Sequence, residues 1–258
     1  MLVISSGRPF AMMPETITSL GLIDAYLCAN GAEIYDSSGR TLFSRTMSRE
    51  DVESIMAAAE GIAARWNVFA DREIWIERRS VTYMGTDVKK ARALLPRSPR
   101  QVKSLVKAAI RRVLGEPGKH DVTSVRPAIE SHDRFDKVGC TFATSAACEE
   151  AIARIDGLGH FEVARIWGQE LEITARGVSK GMAADWLHDY LGIERERSVA
   201  FGDSQNDASL IGHVGRFVAM GNADDTLKRM ADEVCKTLME NGVAVWLREQ
   251  LDEARGRA

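Results

Sequence analysis

The stretch Val199-Ala-Phe-Gly-Asp203-Ser-Gln-Asn-Asp207 constrains the chain most: a short β-favouring apolar run meets a glycine and then two carboxylates four positions apart. A buried strand that empties into a polar loop and a following helix is the repeating unit of α/β proteins, which bind ligands at those strand ends. Two carboxylates sent from one loop into one cleft repel each other unless a cation lies between them, and oxygen-only ligands suit magnesium better than zinc. Turn chemistry with a helix cap is an equally good reading of this stretch taken alone.

The same grammar opens the chain. Leu2-Val-Ile reads as a buried strand, Ser5-Ser6-Gly7-Arg8-Pro9 as a turn, and 10–20 as a helix stopped at Gly21. Tyr26-Leu-Cys-Ala is a second strand, Asn30-Gly31 a tight turn, and 33–36 with 40–43 a hairpin around Ser37-Ser38-Gly39. After Gly177 the grammar returns, with helices at 181–191, 207–213, 226–230 and from 243, and strands at 198–201 and 216–220. The texture between differs: an amphipathic helix over 49–64 behind Ser48, strands at 73–77 and 138–142, helices at 100–114 and 146–155, and a strand pair, 161–167 with 171–174, around Gly168-Gln169. The arginine-rich stretch 89–112 reads as the solvated face of a helix and its lead-in. The expected architecture is an α/β core split by an insertion, with core segments 1–44 and 174–258 feeding one parallel sheet and an α+β cap at 45–173.

Composition narrows the partners. The 258 residues are 45% hydrophobic and 28% charged with a net charge of −3, so no basic field draws nucleic acid or an anionic membrane. No apolar run approaches the ~20 residues that span a bilayer. The four cysteines, Cys28, Cys140, Cys148 and Cys235, form no C-x-x-C pair and read as buried thiols of a cytoplasmic protein. Small molecules are the expected partners, and a homo-oligomer is left open.

Two further signals join the paired carboxylates. In Gly177-Val-Ser-Lys180-Gly181 the lysine stands just before a helix, where its ammonium and the positive helix end together suit a phosphate; taken alone, a lysine so placed is far more often simply exposed at the surface. Ser6-Gly7-Arg8 offers a hydroxyl and backbone N–H groups between a strand and a helix. In this order the three segments resemble the second, third and fourth motifs of haloacid dehalogenase (HAD) superfamily phosphatases. Asn30-Gly-Ala-Glu-Ile-Tyr-Asp36, Ala219-Met-Gly-Asn-Ala223, Ala231-Asp232 and Asn241-Gly-Val-Ala244 resemble the Cof-type class, subfamily IIB.

The resemblance implies a HAD-like Rossmannoid core and a Mg²⁺-dependent phosphohydrolase of small phosphorylated metabolites, sugar phosphates or phosphoglycolate-like esters. It implies that Ser6 and Lys180 serve catalysis, the first bonding the phosphoryl group and the second offsetting its charge. Ser6, Gly7, Arg8, Asn30, Lys180 and Asn206 are implied to bind substrate, and Asp203 and Asp207 to hold the metal. In the family the nucleophile is an aspartate of an N-terminal D-x-D-G-T motif. No D-x-D triplet occurs here, and the sequence starts at the strand leading into the second motif. The expectation is therefore a chain without that segment, with a gap in its central sheet, poor stability alone and negligible activity. The alternative is a non-catalytic relative that binds a phosphorylated ligand or a protein partner, and a phosphomutase is a lesser one.

Overall fold

Short apolar runs between turn residues build the first sheet of the computed structural model, which describes residues 1–62, 64–78 and 117–256. The helix expected over 100–114, the stretch 89–112 and part of the loop at 115–118 lie outside the described residues. Strands β1 (Val3–Ser5), β2 (Ala25–Cys28), β3 (Glu33–Asp36) and β4 (Thr41–Ser44) lie side by side in that order, β1 and β2 parallel and the rest antiparallel. β2 is buried along its whole length, as a strand covered on both faces must be. The helix expected over 10–20 is instead a 3₁₀ turn, Phe10–Met12, and a short helix α1 (Glu15–Thr18). Pro14 separates them: it lacks the N–H a continuing helix needs and pushes Met13 into an extended conformation, φ −65° and ψ 131°.

Beyond Arg45 the chain builds a unit with its own core. β5 (Met47–Ser48) leads into α2 (Arg49–Ala58), whose N-terminus is closed by a reciprocal capping box between Ser48 and Asp51. β6 (Ala64–Ala70), β7 (Glu73–Glu77), β8 (Lys119–Val122), α3 (Arg126–Ser131), β9 (Arg134–Phe135), β10 (Lys137–Phe142), α4 (Ser145–Asp156), β11 (Phe161–Trp167) and β12 (Glu170–Ala175) follow. Six of these strands form one large sheet in the order β11-β12-β10-β6-β7-β8, and β5 pairs with β9. The expected strand pair around Gly168-Gln169 is present as antiparallel β11 and β12. β6, β8, β9 and α3 were not anticipated, and α2 stops before the expected 64 because Gly61 turns the chain with φ +79°. Val68, Val138, Cys140, Phe142, Leu171 and Ile173 point from one face of the large sheet into a buried cluster with Ile55, Cys148 and Ile155 of the helices.

The chain then returns to the first sheet. α5 (Lys180–Leu191) is capped by Ser179, whose hydroxyl accepts the Met182 N–H, and ends at left-handed Gly192. Its Ala183 and Leu187 pack on Ala25, Leu27 and Ile34, each larger apolar side chain gaining about 1.5–3 kcal/mol from burial. β13 (Val199–Gly202), β14 (Arg216–Ala219) and β15 (Glu233–Val234) form a small parallel sheet, with α6 (Asp225–Met230) and α7 (Gly242–Gly256) around it. The expected helix at 207–213 is a 3₁₀ turn over Gln205–Leu210. The core strands stand in two sheets where one with a gap was expected: among the described residues β1 pairs only with β2 and β13 only with β14, so each keeps one edge without a partner strand.

Candidate active site

The C-terminal ends of β1 and β13 open into one cleft of about 720 Å³. Ser6, Gly7, Arg8, Lys180, Asp203, Asn206 and Asp207 all line it, so three segments far apart in sequence converge. Asn30 is brought close but does not line the cleft. It is buried behind it, donating to Glu172 Oε2 at 2.6 Å and accepting from Asn206 Nδ2 at 3.1 Å. The Asn30-Gly31 turn is left-handed at both residues, and Gly31 stands against the Ser179 carbonyl where a Cβ would overlap it. This close approach ties the hairpin turn to the start of α5, and so to Lys180.

The two aspartates play unequal parts. Asp207 is buried: its Oδ1 accepts from Lys180 Nζ at 2.6 Å, and its Oδ2 accepts from the Asp203 and Ser204 backbone N–H groups at 2.9 and 3.0 Å and from the Ser204 hydroxyl at 3.3 Å. The backbone donors fill both lone-pair positions of Oδ2 and Lys180 takes one of Oδ1. Asp203 is exposed and accepts from Asn222 Nδ2 at 3.1 Å. Gly202 serves by lacking a side chain, because a Cβ there would strike the Asp207 side chain. Among the described residues no group of three His, Cys, Asp or Glu could hold a metal ion. A magnesium ion keeps most of its waters and needs only one or two carboxylates, so the donor set fits one held at Asp203, with Asp207 bracing the loop behind it.

Ser6 accepts the Arg8 backbone N–H at 3.1 Å, leaving its hydroxyl hydrogen for a ligand, and Arg8 reaches the cleft exposed. Two charged residues that sequence reasoning passed over complete the site. Lys137, fully buried on β10, donates to the Gly7 carbonyl at 2.6 Å and to Glu172 Oε1, and lies 4.3 Å from the centre of the Phe69 ring. Burial pushes its ammonium below the ordinary range, and Glu172 opposes that. The available signal was alternation. Val138 and Cys140 face the large core cluster, so Lys137 and Gly139 face the other way, and Glu172 stands opposite Gly139.

Comparison with known proteins shows the family and the fold. The family model of haloacid dehalogenase-like hydrolases matches residues 1–247. The phosphatase YwpJ of Bacillus subtilis is 27% identical over 252 residues, covering 96% of this chain and 87% of that protein. A haloacid dehalogenase-like hydrolase from B. subtilis superposes with a TM-score of 0.74 at 26% identity, over 94% of this chain and 85% of the other. The subclass IIB sugar phosphatase BT4131 shares the fold, with a TM-score of 0.72 at 22% identity over 96% of this chain and 84% of its own. With the motif residues gathered on one cleft and the family pattern running through nearly the whole sequence, this chain belongs to the haloacid dehalogenase-like hydrolases.

Proposed function

We propose that the chain recognises small phosphorylated metabolites as a HAD-type phosphomonoester hydrolase does, with Mg²⁺ held at Asp203. The observation that carries this reading is the convergence of Ser6, Gly7, Arg8, Lys180 and Asp203 on one cleft. The Ser6 hydroxyl and the Arg8 guanidinium supply donors for phosphoryl oxygens. Lys180, fixed by Asp207 at the first position of α5, offsets their charge together with the helix end. The magnesium ion, when bound, neutralises phosphoryl charge. The unit between Met47 and Ala175 is read as a cap, residues 45–173, that covers the cleft from the side of the large sheet. Four buried, unbridged thiols suit a reducing compartment such as the cytoplasm.

A second reading, ligand binding without turnover, draws on the carboxylates. Covalent phosphoryl transfer through an aspartyl-phosphate, the route implied by the family resemblance, needs a free carboxylate. Among the described residues at the cleft, Asp207 is buried and held by Lys180 and the Asp203 and Ser204 N–H groups, Glu172 is ion-paired with buried Lys137, and Asp203 is the residue for the ion. Negligible turnover of p-nitrophenyl phosphate by these residues is therefore expected, and a Mg²⁺-dependent turnover abolished by Asp203→Ala would remove this second reading. The test of the site itself is calorimetric titration with inorganic phosphate. Binding is expected to strengthen with Mg²⁺, to lose that strengthening in Asp203→Asn, and to fall at least about 10-fold in Lys180→Ala, the scale of one charge-assisted contact. Unchanged affinity in both variants would sink the assignment.

A further inference from the structure

The wall of the cleft opposite the phosphate-binding loops is built from the face of the large sheet that its helices leave uncovered. Register lines up Ile74, Phe69 and Lys137 side by side on adjacent strands, and Glu172 lies on the same face one strand further. Of the described residues on this wall, Phe69, Ile74 and Glu172 reach the cleft; Lys137 stays behind them, fully buried. From the described residues of this wall, a leaving group entering here meets two apolar side chains, one carboxylate and no exposed cation.

Glu172 is held for such a contact. Oε1 accepts from Lys137 and Oε2 from Asn30 at 2.6 Å, which uses two of the roughly four lone-pair positions of a carboxylate. Its side chain remains 21% exposed while that of Lys137 is 1% exposed, so the acceptor faces the cleft and the cation does not. Lys137 also holds the Gly7 carbonyl, placing Glu172 two hydrogen bonds from the loop that carries Ser6. A ligand whose phosphoryl group sits on that loop therefore presents its next atoms to Glu172.

We propose that Glu172, braced by Lys137 and Asn30, is the specificity-determining residue for the leaving group. It favours phosphate esters whose leaving group carries hydroxyl donors, as a polyol or sugar phosphate does, and disfavours esters that carry a carboxylate beside the phosphate. The inference rests on the phosphate-ester reading of the cleft and narrows it. A hydroxyl donates to the open positions of Glu172 while its carbon skeleton lies on Phe69 and Ile74. A second carboxylate is instead set against a like charge in a partly desolvated wall. Arg8 lies with the phosphate-binding loop and is engaged by the phosphoryl group.

The experiment titrates the intact chain, with Mg²⁺, against inorganic phosphate, ribitol 5-phosphate and 2-phosphoglycolate. Ribitol 5-phosphate is expected to bind at least about 10-fold more tightly than 2-phosphoglycolate, the worth of one hydrogen bond to a charged acceptor. In Glu172→Gln that ratio is expected to collapse towards one. Because this substitution leaves buried Lys137 without its partner, the double variant Lys137→Met with Glu172→Gln, which removes both charges, is titrated beside it and is expected to show the same collapse. If inorganic phosphate binds but 2-phosphoglycolate matches or exceeds ribitol 5-phosphate, or if the ratio survives in the double variant, the role of Glu172 is overturned while the phosphate site stands. If inorganic phosphate itself fails to bind, the phosphate-ester reading falls and this inference with it.

Discussion

Asp136 sits next to Lys137 in the chain but faces a different, smaller cavity of about 330 Å³, shared with Glu33, Asp71, Arg72 and Arg134. It is 3% exposed and its Oδ2 has no hydrogen-bond partner among the described residues. Burial first, then the neighbouring Glu33 and Asp71 carboxylates, push its carboxyl from 3.8 up to about 8, against the pull of Lys137. Burial likewise pushes Glu33 upward, against its bond from the Tyr35 hydroxyl and the nearby Arg72 guanidinium. The folded chain therefore keeps a proton on Asp136 that the unfolded chain releases near the ordinary value. Between about pH 4 and pH 8 the folded state binds more protons, so this group's contribution is full at the acid end and lost as pH rises through about 8. Urea midpoints measured across that window should decline with pH in the wild-type chain and decline less steeply in Asp136→Asn. Parallel profiles would show that the proton on Asp136 is not linked to folding.

At the scale of elements, the turn between β2 and β3 does more than reverse the chain. It presents Asn30 to Glu172 and Asn206 and rests Gly31, at φ +98°, against the Ser179 carbonyl. Gly31→Ala puts a side chain into a left-handed conformation and into that carbonyl at once. A loss of at least about 1 kcal/mol is expected from denaturant midpoints, with weaker phosphate binding because α5 and Lys180 are displaced together. A Gly31→Ala chain as stable as wild type would mean the turn is not held against α5. The residues of this joint were legible as a turn signal, as was the hairpin after it, because Asn-Gly and Ser-Ser-Gly act locally. The strand-to-loop stretch ending in Asp203 and Asp207 was legible for the same reason. The wall of the cleft was not. Alternation along β10 and β12 normally assigns charged positions to solvent, and only tertiary packing turns that face of the large sheet toward Gly7. β6 was hidden because the amphipathic pattern of α2 extends past Gly61 in sequence although the helix does not.

The whole molecule divides its stability unevenly. The largest buried cluster lies entirely between Met47 and Ile173, with Phe135, Phe142, Val138 and Ile155 fully enclosed, while the segments before and after it hold several smaller clusters. Polar links between the two parts include Lys137 to Gly7, Asn30 to Glu172, Arg72 Nη2 to Thr41 at 3.2 Å and the Ala11 N–H to the Arg72 carbonyl at 3.3 Å. The segments before and after the large cluster also carry, among the described residues, one unpartnered edge each of β1 and β13, where the outward backbone groups gain nothing from a second neighbouring strand. A large shared apolar interface is what makes two units unfold together, and the four links named above are polar. Calorimetry on the intact chain should therefore resolve two transitions, with the less stable one belonging to the two sheets that hold the phosphate loops. Inorganic phosphate at about 100 times its Kd should stabilise that transition by about 2.7 kcal/mol, because Ser6, Lys180 and Asp203 all lie in it. The transition of the large-sheet unit should move less, since it touches the ligand through one wall only. A single transition whose calorimetric and van't Hoff enthalpies agree, shifted as a whole by phosphate, would show instead that the polar joint around Lys137 and Glu172 couples the two parts into one cooperative fold.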